Sequence, residues 1–104
     1  MAVAGLGRFG DPAVLILTSL AGGDKHGYAL MSDVEDFSGV RLGAGTLYAA
    51  LGRLEGRGLI EALVAEDRRR PYRITASGAA ALREYLDHAH AVTRCGQRRL
   101  ENFA

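Results

Sequence analysis

Apolar and polar positions recur with a helical period along most of this chain. From Pro12 to Ala21 almost every residue is apolar, which predicts a helix buried on most sides. Asp11 is placed to cap it, Pro12 takes the first helical position, and Gly22-Gly23 close it. A second helix is predicted to begin between Asp24 and Gly27 and to end at Ser38-Gly39, with Leu30, Met31, Val34 and Phe37 on one face and Ser32, Asp33, Glu35 and Asp36 turned outward. After a short glycine-containing link, Ser38 to Gly43, a third helix runs from about Gly45 to Arg57. Its Leu47, Leu51 and Leu54 face inward, Thr46, Ala49, Arg53 and Arg57 face outward, and Gly58 stops it.

Residues Leu59 to Glu66 suit a helix as well as a strand by propensity alone. Their neighbours favour the strand. Gly56 and Gly58 interrupt the preceding helix, Tyr72-Arg73-Ile74 reads as a returning strand, and Asp67-Arg68-Arg69-Arg70-Pro71 forms a turn-like polar cluster between them. The result is a hairpin tipped by arginine. Thr75 then caps a final helix of about 20 to 25 residues, along which Leu82, Tyr85, Leu86, Ala89 and Val92 make an apolar stripe and Gly96 is placed to fray or bend the end.

A length of 104 residues allows one compact unit, and 48% hydrophobic with 24% charged residues is the balance of a chain that folds. The longest uncharged stretch, Pro12 to Gly23, falls well short of the ~20 apolar residues of a membrane helix. Arg8 followed by that stretch has the outline of a short signal peptide, but the Asp11-Pro12 start signal favours a folded helix. A single cysteine excludes an internal disulfide framework, cannot alone build a structural zinc site, and fits a cytoplasmic protein.

The net charge of +1 names no partner; its distribution says more. Residues 1–40 hold two basic and five acidic side chains, residues 41–73 seven and four, and residues 74–104 four and three. The middle third is the electropositive part.

Three short helices, the second and third joined by a tight link, followed by a hairpin, make a mainly α winged helix-turn-helix over residues 1–78. Residues 79–104 complete the same compact unit as a C-terminal dimerisation helix and tail. In such a fold the third helix lies in the major groove of double-stranded DNA. Gly43, Ala44, Gly45 and Thr46 would bring its backbone amides close to phosphate, although two glycines could equally just shape the turn. Arg68, Arg69 and Arg70 repel one another, and a polyanion turns that repulsion into binding; the plainer alternative is a solvated loop. Lys25 sits at a helix N-terminus as a phosphate candidate.

The strings His26-Gly27-Tyr28-Ala29-Leu30, Gly45-Thr46-Leu47-Tyr48-Ala49-Ala50-Leu51, Arg53-Leu54-Glu55, Gly58-Leu59-Ile60 and Arg70-Pro71-Tyr72-Arg73-Ile74-Thr75 with Gly78 resemble the PadR-like family of transcriptional regulators, over about residues 12 to 83. The resemblance implies a homodimeric winged-helix repressor, released from its operator by a small-molecule effector. It looks like the short-tailed branch, whose single terminal helix forms the dimer seam. Tyr28 and Tyr48 match motif positions and are candidates for phosphate contact or for core packing; His26 either caps the second helix or touches the DNA backbone. Two departures matter. Ala49 stands where the family often has proline, and Ala50 and Gly52 stand at commonly charged positions, leaving Arg53 as the main base-reading candidate on that helix. The chain also has no tryptophan to stack on a flat aromatic ligand, so drug binding does not carry across.

No hydrolase elbow, phosphate loop or H-E-x-x-H points to an enzyme, and no cofactor is indicated. His88 and His90 face different sides of a helix and Cys95 lies about 10 Å farther along it than His88, so no metal site is expected within one chain. Cys95 as a redox switch is weighed against a small buried hydrophobe. The stripe Leu82, Tyr85, Leu86, Ala89 and Val92 outruns the surface of a small core, which predicts a twofold homodimer and a palindromic operator. The competing reading is a winged-helix protein-interaction module, which has no need of a projecting arginine cluster. Arginine far outnumbers lysine, a usage that hints at a G+C-rich bacterial genome.

Overall fold

The computed structural model describes residues 2–3, 7–8 and 11–103. Two short antiparallel strands, β1 (Ala2–Val3) and β2 (Gly7–Arg8), precede the helical body. Helix α1 spans Pro12–Ala21, and the Asp11 carboxylate accepts the Ala13 amide at 2.8 Å, so the apolar run is a capped core helix. Helices α2 (Gly27–Ser38) and α3 (Ala44–Gly56) pack on it. Ile16, Leu20, Leu30, Val34, Leu47 and Leu51 are fully buried where the three meet, each worth about 1.5–3 kcal/mol of apolar transfer.

Two core positions differ from expectation. Phe37 is left half-open on the last turn of α2, just before Gly39 (φ 75°) turns the chain in a left-handed conformation. Leu42, carried back over the core by the link that follows, closes it instead. Ala50 is buried on the inner side of α3, so its small size is a matter of packing, and a charge there could not have faced DNA.

Strand β3 (Ile60–Ala62) is shorter than the Leu59–Glu66 run predicts; it pairs with β4 (Tyr72–Ile74) in the register Ile60↔Ile74, Glu61↔Arg73, Ala62↔Tyr72. Beyond Ala62 the Leu63 amide still reaches the Pro71 carbonyl at 2.8 Å, and Glu66 and Arg69 exchange two bonds of 2.8 Å. Between those contacts Val64 and Ala65 oppose Arg70 alone, a bulge that ends the regular ladder. The tip itself is a two-residue turn, Asp67 (φ 48°) and Arg68 (φ 68°), both left-handed as a type I′ hairpin requires. On the far edge of β4, Lys25 and Tyr72 exchange backbone bonds of 3.2 and 2.9 Å, which attaches the wing to the segment before α2.

Helix α4 spans Ala76–Glu101 without a break at Gly96. The Thr75 hydroxyl accepts the Gly78 amide at 3.0 Å and donates to the Gly58 carbonyl at 2.7 Å. A Cβ on the buried Gly78 would overlap the Leu59 carbonyl and approach Ile74 Cγ1 to 2.9 Å, so only glycine lets α4 start this close to the wing. Leu82 belongs to the core of the single chain, which removes it from the candidate dimer stripe. Past it, Tyr85, Leu86 and Val92 are exposed, and so are Leu100 and Phe103 at the far end.

Candidate nucleic-acid interface

The amino end of α2, the side of α3 and the wing enclose one open groove of about 480 Å³. His26, Tyr28 and Tyr48 line it from the helices, and Arg68, Arg69 and Arg70 from the wing. The two helical motifs meet at a specific contact. A Cβ on Gly27 would overlap the Tyr48 hydroxyl and come to 3.0 Å from Cζ, so glycine at the first position of α2 is what lets the Tyr48 ring lie against it. Tyr28 and Tyr48 are both exposed, 75% and 55%, which removes the core-packing alternative for either.

The amino end of α3 is bare. Gly43 occupies the N-cap with no side-chain bond to the first turn, and Ala44, Gly45 and Thr46 are exposed. Their amides face outward as acceptor-seeking donors. Ala49 is exposed one turn on. Arg53 is also exposed but sits in the last turn, where a cation complements the helix dipole as well as reaching outward.

Arg68, Arg69 and Arg70 are exposed, and among the described residues none has a carboxylate within 4.0 Å. Arg68 and Asp67 are the turn proper, whereas Arg69 and Arg70 lie on the returning arm.

Two candidates behave otherwise than the sequence suggests. Lys25 Nζ donates to the Ser19 and Gly23 carbonyls and lies 3.8 Å from the Asp33 carboxylate, so it ties the end of α1 to α2 instead of pointing free toward solvent. His26 holds the N-cap position of α2, yet its ring makes no capping bond and faces the groove. Tyr72 and Gly27 were not singled out as site residues. Tyr72 completes the groove floor, and burial, then Glu55, raises its phenol above the ordinary value of 10.0, with Arg70 pulling the other way. The signal for both lay inside the motifs: a glycine opening a helix, and a tyrosine directly after the arginine turn.

Among the described residues no cluster of His, Cys, Asp and Glu is placed to hold a metal, and no helix is long and apolar enough to cross a membrane.

The model of the transcriptional regulator PadR-like family matches residues 16–84. The chain belongs to the PadR-like family. Its fold is similar to a PadR family transcription regulator from Clostridium difficile R20291, with TM-score 0.78 and 26% identity over 88% of this chain and 99% of that one. A PadR family transcriptional regulator from Eggerthella lenta DSM 2243 aligns with TM-score 0.71 and 32% identity over 86% and 81%. In sequence, the chain is 42% identical over 96 residues to an uncharacterized 37.1 kDa protein in transposon TN4556 of Streptomyces fradiae, covering 91% of this chain but only 27% of that protein. This PadR-like chain therefore has a winged-helix fold, it spans about a quarter of the length of the curated relative it matches, and the family and the structural neighbours named here are transcriptional regulators rather than enzymes.

Proposed function

We propose that this PadR-like regulator binds a palindromic operator as a homodimer and represses the gene it covers until a small-molecule effector releases it. The observation that carries the reading is the convergence, around one groove, of the three wing arginines Arg68 to Arg70 with His26 and the exposed Tyr28 and Tyr48. The α3 amides and the two hydroxyls take phosphate oxygens, and small side chains at Gly43, Ala44, Gly45 and Ala49 allow close approach; Thr46 and Arg53 reach base edges, and Arg68 to Arg70 follow the backbone or the minor groove.

The stripe of exposed Tyr85, Leu86 and Val92 with the partly buried Ala89 on α4 supports pairing with a second copy, which sets half-sites about 34–36 Å apart or a multiple of that. Repression and effector release follow from the family resemblance, and a cytoplasmic location follows from acting on the chromosome with an unpaired Cys95.

Gel-shift titration over a range of salt concentrations, with DNA from upstream of its own gene, tests the interface. Affinity is expected to fall steeply with salt, and Arg69→Ala to weaken binding alike on all sequences while reducing the salt slope by about 1. Arg53→Ala is expected also to relax base preference. Equal slopes for wild type and Arg69→Ala would remove the wing from the interface.

A further inference from the structure

The wing holds two kinds of arginine. Arg68 to Arg70 are exposed and pair with no acid among the described residues, whereas Arg73, in the middle of β4, is engaged on both sides. Its Nε and Nη2 donate to Asp24 Oδ2 at 3.3 and 3.2 Å, and its Nη1 lies 3.7 Å from Glu61, its cross-strand partner in β3. Asp24 stands next to Lys25, whose backbone bonds to Tyr72, and Lys25 in turn is clamped to the end of α1. The wing is otherwise two strands of three residues, and a two-stranded hairpin is marginal in water by itself. Ile60, buried in the core with Tyr72 and Ile74 packed against it, anchors the base of the wing, and this short edge adds the tie between β4 and the segment that leads into α2.

We propose that the Asp24–Arg73 ion pair is a latch that aims the wing at the duplex, with Arg73 a positioning residue that does not touch DNA. The proposal rests on the wing contact above. It inverts a simple electrostatic expectation. Removing the negative charge of Asp24 near a polyanion should tighten binding if charge alone acts, whereas losing the latch loosens it. Asp24 and Arg73 are about half-exposed, 41% and 51%, so the loss is modest, roughly three- to fivefold in affinity.

Fluorescence anisotropy of the full chain on a labelled duplex enriched from a random-sequence pool, repeated across salt concentrations, tests it. Asp24→Asn and Arg73→Gln are each expected to bind about three- to fivefold more weakly with the wild-type salt slope, and the double variant no more weakly than either single one. Amide exchange at Leu63 and Tyr72 is expected to quicken in both while that of α1 stays unchanged, which a general loss of fold would not produce. Binding by Asp24→Asn as tight as wild type or tighter overturns the latch, as do single losses that multiply in the double variant. A salt slope lowered by about 1 in Arg73→Gln would make Arg73 a phosphate contact instead. Arg69→Ala, measured alongside, keeps the two readings apart: if it leaves affinity and slope untouched, the wing contact fails and takes the latch with it.

Discussion

Tyr72 serves the site through both its backbone and its ring. The backbone joins the wing to Lys25, and the ring lies half-buried beside Glu55, Tyr48 and Arg70. Burial and then the Glu55 carboxylate favour the neutral phenol in the folded chain, so its pKa there lies above the unfolded value. The sign of the linkage follows. This contribution to stability is complete below about pH 10 and is lost as pH rises through the folded pKa, because the unfolded chain ionises first. Thermal melts across the alkaline range should therefore show wild type losing its midpoint faster above about pH 10 than Tyr72→Phe does; parallel curves would deny the shift. At this scale the sequence was partly legible. The motifs marked Gly27, Tyr28 and Tyr48, but Lys25 reads as a cation beside a helix start, and only folding shows that its protons are taken by carbonyls six and two residues earlier.

Among the elements, α3 shows the plainest mismatch between propensity and use. Gly45, Gly52 and Gly56 have ordinary helical backbone, and a Cβ built on any of them meets nothing within 4 Å, so the fold itself does not ask for glycine there. A glycine inside a helix costs about 0.5–1 kcal/mol relative to alanine. Gly52→Ala should thus raise the melting temperature by roughly 2–8 °C for a chain of this size. It should also weaken DNA binding where the duplex lies against this face, and calorimetry with anisotropy would read both. A variant that gains stability at unchanged affinity would show that DNA keeps clear of Gly52. The helices were legible because their apolar period is long and regular, and Asp11 and Thr75 announce two of the starts. The wing was legible only as a hairpin. Its bulge at Val64-Ala65 and its left-handed Asp67-Arg68 turn depend on pairing across the ladder, which composition does not encode, and propensity does not decide the Leu59–Glu66 segment.

For the molecule as a whole, α4 is the feature the single chain does not satisfy. It runs for 26 residues, about 39 Å, while its buried contacts end near Leu82. On the proposed pairing, Leu86→Glu should shift sedimentation toward a single subunit and abolish high-affinity operator binding while the winged helix stays folded by circular dichroism; an unchanged sedimentation coefficient would place the partner surface elsewhere. The charge on the wing has a consequence of its own. Its exposed cations are all guanidinium groups, and the chain's single lysine is folded inward at the end of α1. A guanidinium holds its proton at every pH a cell reaches and offers no amine to an acetyl donor. Neither acidification nor lysine acetylation can strip the charge from these arginines, so on the proposed contact their hold on a polyanion is set by geometry and by the surrounding electrolyte.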